Sequence, residues 1–171
     1  FSAMFRKMFG GENFFLGKYE HPDGGKLTFA PSIPGHVEHR QLTNNSLNIM
    51  AGGFLACTPG VNIKAKFGGL KALFSGEGAF LLEASGSGDL FFNSFGGVVE
   101  KEINGEFIVD TGHVVAFDPS LDYKITGMGS FKSTMLSGEG MVMRFSGNGK
   151  LYLQTRNVSS IASWLTPRLL G

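Results

Sequence analysis

The chain has 171 residues, a formal net charge of +1, and a composition with 26 Gly, 17 Phe and only 17% charged residues. With 42% hydrophobic residues, this low charge excludes an intrinsically disordered chain, and the many glycines disfavour long helices. The near-zero net charge excludes a global electric field that would attract nucleic acid. What remains is an all-β fold with many turns and few short helices.

The single cysteine, Cys57, excludes an intramolecular disulfide and favours a reducing compartment, so we expect a cytoplasmic location. The sequence shows no signal peptide and no apolar run of about 18 residues that would predict a membrane span.

Self-similar segments are the main organising feature of the sequence. Three segments (5–15, 70–80 and 131–142) read as an apolar residue, a basic residue, an apolar pair and then Gly-Glu before an apolar run. In addition, 52–59 aligns without gaps on 112–119. This pattern predicts three tandem β units with a pseudo-threefold repeat. We place the units at 1–66, 67–128 and 129–171.

The third unit, 129–171, contains only the first half of the repeated pattern. A half unit would leave strand edges uncovered, so we expect its partner strands to come from an N-terminal segment that precedes Phe1. Cover by another subunit is the alternative.

Turn residues between apolar runs predict hairpins in chain order. The last unit ends in a predicted helix over 158–165, with Pro167 near its end, and single helical turns are expected at 68–73 and 130–136. The predicted hairpins are a tip at 21–25 with a return strand at 26–29, strands 79–84 and 89–95, strands 98–103 and 106–109, and strands 141–145 and 150–155.

The Gly-Glu-Gly runs at 76–78 and 138–140, the segment 109–117 and the segment 151–155 resemble the altered-inheritance-of-mitochondria (AIM) type family of uncharacterised proteins. The resemblance covers nearly the whole chain. It implies three fused copies of a small β-sandwich or double-stranded β-helix unit, similar to the subunit of the tryptophan RNA-binding attenuation protein (TRAP), which associates in rings. The resemblance supplies no catalytic residues.

Two sets of residues recur at equivalent places in the units and are the candidate functional residues. The first set is acidic: Glu12, Glu77 and Glu139. We expect these carboxylates to bind a basic residue or backbone N–H groups of their own unit, and a three-fold ring that binds a cation is the alternative. The second set is basic and consists of Lys71 and Lys132. Phenylalanines lie beside these lysines in the sequence, and lysines together with aromatic rings can bind single-stranded RNA, with the bases stacked on the rings.

Other patterns carry weaker signals for chemistry. The triplet 110–112, Asp-Thr-Gly, resembles half of an aspartic-protease site, but that chemistry needs two such carboxylates, so a strand-to-turn corner is favoured. His36 and His39 lie three apart, which on a strand points them to opposite faces and disfavours a metal site. The glycine runs 86–88 and 147–149 are interpreted as hairpin tips, because neither completes a phosphate-binding pattern.

These observations predict a non-enzymatic structural or scaffolding protein that self-associates as a homo-oligomer and needs no cofactor or metal. The sequence gives no reason to expect DNA binding. An RNA-binding or ligand-binding ring, by analogy of fold, is the alternative function, and RNA is disfavoured by the small net charge. Peripheral membrane contact through Phe5, Met8 and Phe9 is a further alternative.

Overall fold

The computed structural model describes residues 3–9, 12–50, 52–67, 80–127 and 141–169. The chain divides into two compact units, Phe1–Ala30 and Pro31–Gly171. In the first unit, β1 (Ala3–Phe9) and β2 (Glu12–Lys18) form an antiparallel pair.

The predicted turn after β2 is present, since the Gly24 N–H donates to the His21 carbonyl over 3.1 Å. The strand predicted at 26–29 is wrong, because these residues have no regular structure and Leu27 and Phe29 stay 55% and 45% exposed. An apolar alternation forms a strand only where a sheet partner and a core are available to it.

In its described residues, the second unit has eight strands followed by one helix. The strands are β3 (Val37–Met50), β4 (Phe54–Cys57), β5 (Val61–Phe67), β6 (Phe80–Asn93), β7 (Val98–Asp110), β8 (Val114–Phe117), β9 (Leu121–Gly127) and β10 (Met141–Gln154). They form one antiparallel sheet in the order β4-β6-β3-β8-β10-β7, with β5 beside β6 and β9 beside β10. The all-β prediction is confirmed.

The strands β3–β6 and β7–β10 follow the same plan. In each set, the long first strand pairs with the long last strand along its length. The pairing begins at Val37↔Asn93 in one set and at Val98↔Gln154 in the other. Two short strands then line the opposite edge of the last strand: β4 and β5 on β6, and β8 and β9 on β10. We refer to these sets as the first and second halves of the sheet.

The three hairpins predicted within 79–95, 98–109 and 141–155 are wrong. Each segment is a single continuous strand: β6, β7 and β10. The glycines in β6 permit close backbone approach instead of a reversal. A Cβ at Gly86, where φ is +122°, would lie 2.2 Å from the Gly60 carbonyl oxygen. The turn between β4 and β5 therefore packs directly on the middle of β6.

The core of the sheet is aromatic and aliphatic. Phe92, Phe117 and Phe145 are fully buried, and the rings of the last two meet edge to face at 5.0 Å. Such edge-to-face pairs add to the free energy gained by burying the rings.

The two halves are joined where β3 pairs with β8, through Asn48↔Phe117 and Ile49↔Ala116. We call this pairing the β3–β8 seam. Ile49 and Ala116 are both fully buried there. Within the described residues, these two residue pairs are the full extent of the hydrogen-bonded register between the halves.

The predicted C-terminal helix is present as α1 (Val158–Leu169) and continues through Pro167 in its last turn. Buried Asn157 caps its start, because the Asn157 Oδ1 accepts the backbone N–H groups of Ser159 at 2.9 Å and Ser160 at 3.3 Å. No helix in the described part of the chain is long and apolar enough to cross a membrane.

Candidate functional site

Most of the candidate residues recognised from the repeat lie outside the described residues. This holds for Lys71, Glu77, Lys132 and Glu139. Glu12 is the first residue of β2, where it pairs in register with Phe9. The cation ring and the RNA-stacking surface therefore stay predictions.

Asp110 has a local structural role. Its Oδ1 accepts the Gly112 N–H at 2.8 Å and caps the single 3-10 turn Thr111–His113 at the end of β7. This is the corner favoured from the sequence over a protease carboxylate.

The histidines bind different acidic partners. His36 lies 3.3 Å from Glu38, and His39 lies 2.8 Å from Asp89 while stacking on the Phe91 ring. Over residues 16–66, 81–126 and 141–169, no three His, Cys, Asp or Glu side chains are grouped as metal ligands.

Cys57 is half-buried, and its Sγ lies 3.9 Å from the Val61 carbonyl oxygen. Burial raises the pKa of its thiol, so the nucleophilic thiolate is disfavoured at neutral pH.

A five-residue polar network connects β3 with the second half of the sheet, and we call it the Arg40 cluster. Its members come from four separate places in the fold: β3, β7, the turn after β8, and β10. The members are Arg40, Glu100, Asp118, Lys150 and Tyr152.

Arg40 reaches across the seam from the first half of the sheet to the second. Its Nη1 donates to the Tyr152 hydroxyl, and its Nη2 donates to the Asp118 Oδ1 at 3.3 Å. The guanidinium carbon also lies 5.6 Å from the centre of the Tyr152 ring. A planar guanidinium suits these contacts because its donors diverge in a fixed fork.

Tyr152 is the buried member of the cluster, with 3% exposure and its ring edge against Phe92 at 5.4 Å. Burial, followed by the nearby carboxylates of Glu100 and Asp118, raises the pKa of Tyr152 to about 12, against an opposing effect of Arg40. The phenol is therefore protonated at neutral pH, and the Glu100 carboxylate favours this neutral form.

Asp118 connects the cluster to the backbone of β10. Its Oδ2 accepts the Lys150 N–H at 2.9 Å, and its own N–H donates to the Lys150 carbonyl over the same distance. In the first half, Thr58 makes the matching pair of bonds with Asp89. Asp118 differs from Thr58 in having a second side-chain oxygen, and this oxygen binds Arg40.

The outermost members are Glu100 and Lys150, whose charged groups lie 2.6 Å apart. The Lys150 ammonium lowers the pKa of Glu100, and the Glu100 carboxylate raises the pKa of Lys150. Both groups stay ionised across the neutral range.

The cluster has two cations and two carboxylates, so its formal charge is balanced. Each ionised group faces a partner of opposite sign, and the tyrosine is held neutral. The pKa shifts of Glu100, Lys150 and Tyr152 all move away from neutrality, which is not the direction that acid–base catalysis requires. Its chemistry is that of a hydrogen-bonded connection between the two halves of the sheet.

The sequence patterns did not identify the Arg40 cluster. Arg40 and Tyr152 are separated by 112 positions, and their contact depends on the pairing of β3 with β8. One signal was available in the alignment of 52–59 on 112–119, which places Asp118 where the first half has Thr58.

Comparison with known proteins agrees with the sequence resemblance. A family model described as "AIM24: Mitochondrial biogenesis AIM24" matches residues 1–156. An uncharacterized protein of Streptococcus pyogenes serotype M6 is 33% identical over 166 residues, which are 95% of this chain and 67% of that protein.

A crystal structure of a Streptococcus pyogenes protein, determined by a structural genomics consortium, superimposes with a TM-score of 0.72 at 31% sequence identity. The match covers 81% of this chain, which spans 62% of the length of the solved chain. With the family model extending over both compact units, the chain belongs to the AIM24 family.

Proposed function

We propose that this protein is a non-enzymatic structural protein that self-associates head to tail through two edge strands of its sheet, β7 and β5. The observation that carries the proposal is the opposite charge of those edges. The Arg40 cluster supports the non-enzymatic part, because it is charge-balanced and connects strands.

One outer edge of the sheet is β7, which pairs only with β10 among the described strands. Its solvent-exposed charged side chains are Glu100, Lys101, Glu102 and Glu106, so the strand has a net negative charge, and its apolar Val99 and Ile108 are each 49% exposed. Unpaired edge strands offer N–H and C=O groups to a further strand.

The edge beyond β6 is formed by β4 and β5, and β5 is basic. Lys64 and Lys66 are exposed along β5. Lys66 forms an ion pair with Glu83 of its own sheet, whereas Lys64 and Glu102 form no ion pair with another described residue. Lys64 and Glu102 are therefore available to a neighbouring copy.

Two copies that pair β7 edge to β7 edge would bring glutamates together, and like charges opposite one another destabilise a strand pair. Pairing the acidic β7 edge of one copy with the basic β5 edge of the next avoids this repulsion. Such a head-to-tail contact uses two different surfaces and closes into a ring when the rotation permits. This favours a ring over a symmetric dimer.

The experiment is a charge exchange, read as native mass at micromolar concentration by light scattering after size exclusion. Glu102→Lys alone and Lys64→Glu alone each place like charges at the contact, so each weakens association. The double variant Glu102→Lys with Lys64→Glu restores the opposite charges and is expected to restore the oligomer.

The matched control is Lys26→Glu, which makes the same charge change at an exposed lysine of the first unit. It should leave the mass unchanged. A wild-type protein that is monomeric over the whole micromolar range, or a double variant no better than the single ones, would refute the proposal.

We further propose that the sheet is part of a three-unit, TRAP-like assembly in which the third unit is completed by other strands. We also propose that the protein acts in the cytoplasm. The shared plan of the two halves supports the repeated unit. The single cysteine supports a reducing compartment.

A further inference from the structure

The apolar side of α1 is open to solvent. Every residue of the helix is exposed, and the large apolar side chains recur at helical spacing. Their exposures are Val158 52%, Ile161 37%, Trp164 58%, Leu165 39% and Leu169 71%. We call this set the α1 apolar face.

The opposite side of α1 is hydroxylated. Ser159, Ser160, Ser163 and Thr166 lie on it, so the helix is divided into an apolar and a polar side. The helix is held at its start by buried Asn157, and no other described residue covers its apolar side, which is therefore a candidate contact surface.

The charged residues in the sequence around α1 have one sign. No Asp or Glu occurs from Met141 to the end of the chain, whereas Arg156 and Arg168 flank the helix core. The Arg168 guanidinium lies 4.2 Å from the Trp164 ring centre, in the last turn of α1. Tryptophan beside arginine suits the boundary between lipid chains and charged headgroups.

From these observations we propose that α1 lies on an anionic lipid surface, with the α1 apolar face among the acyl chains and Arg156 and Arg168 against the headgroups. The five apolar side chains expose on the order of 500 Å², less than the ~800 Å² per partner that a stable protein interface buries. A second copy bound to this face alone would be held weakly, whereas a shallow apolar helix with basic flanks is sufficient at an anionic bilayer surface. This proposal is independent of association through the sheet edges.

The chain contains one tryptophan, Trp164, so its fluorescence reports on α1 alone. The probe is a suspension of phosphatidylcholine vesicles with or without roughly 30% phosphatidylglycerol, mixed with the full chain. Anionic vesicles should sediment the protein and shift the Trp164 emission to shorter wavelength, with several-fold weaker binding to neutral vesicles. An unchanged emission spectrum with both vesicles overturns the proposal.

A matched pair of variants separates the apolar face from charge. Leu165→Asp and Ser163→Asp add the same negative charge to α1, on the apolar and polar sides respectively. Leu165→Asp should weaken vesicle binding at least about tenfold relative to Ser163→Asp, because an aspartate cannot enter the acyl region. Equal binding by the two variants overturns the proposal.

A third arm tests the headgroup contact and the competing occupant. Arg156→Gln with Arg168→Gln should remove the preference for anionic over neutral vesicles, and a retained preference overturns it. Without vesicles, Leu165→Asp should have the native mass of the wild type. A loss of mass in that variant shows that a second copy covers the face, which also overturns the proposal. Far-UV circular dichroism confirms that each variant is folded.

Discussion

Arg40 donates side-chain hydrogen bonds from the first half of the sheet to the second. Its 23% exposure places it between a surface and a buried cation, and both of its partners lie across the seam. A partly buried hydrogen-bonded charge contributes more than a surface ion pair, since its removal leaves partners unsatisfied.

We expect Arg40→Met to lower the free energy of unfolding by about 2–3 kcal/mol, because Asp118 and Tyr152 lose their shared donor. Urea unfolding followed by far-UV circular dichroism measures the loss. The control is Arg144→Met, which removes the exposed ion pair with Glu106 and should cost less than about 1 kcal/mol. Equal losses in the two variants would contradict a special role for Arg40.

Tyr152 makes the stability of the fold depend on pH in the alkaline range. Its pKa is about 12 in the folded chain and 10.0 without the fold, so the folded state holds the proton more tightly. The stabilisation is complete below pH 10 and is lost as the pH rises toward 12.

We expect an absorbance titration of the three tyrosines to show one phenol that ionises near pH 12. Tyr152→Phe should remove that late step, whereas Tyr19→Phe should leave it in place. A late step that survives in Tyr152→Phe would assign it to another residue.

Among the elements, the long strands show where the sequence patterns were informative. The apolar alternation placed β structure in the segments of β6, β7 and β10, which the structure confirms. The reversals predicted at their glycines were wrong. Glycines occur both in turns and in strands that another segment approaches closely, so a glycine run alone does not distinguish the two. In β6 the close approach of the β4–β5 turn explains the glycines.

A side chain at Gly86 should lower the free energy of unfolding, because the Gly60 carbonyl lies close to this position. We expect Gly86→Ala to destabilise the fold by about 3 kcal/mol, because its Cβ would overlap the Gly60 carbonyl and the φ of +122° strains an L-residue. Gly105→Ala in β7 is the control, since φ is +104° but no atom lies within 4 Å. Thermal unfolding should show a smaller shift for Gly105→Ala. Equal shifts would mean that strain alone, without the overlap, sets the cost.

At the scale of the whole molecule, composition was sufficient for the fold class but not for the arrangement of strands. The 26 glycines and the low charge indicated all-β, and the alignment of 52–59 on 112–119 matched two segments that occupy equivalent places in the two halves. The candidate site was not predictable, because it depends on Arg40 meeting Tyr152 across a seam of two residue pairs. The sequence predicted the helix α1, but it did not predict that the apolar side chains of this helix are exposed.

The register of the long strands also determines how the chain must fold. In each half the first residue of the opening strand pairs with the last residue of the closing strand, Val37 with Asn93 and Val98 with Gln154, each 56 residues apart. Closing a loop of this length costs entropy before any pairing compensates for it. Folding dominated by such distant contacts is slow, on the order of milliseconds to seconds. We therefore expect the pairing of the two long strands in each half to be slow.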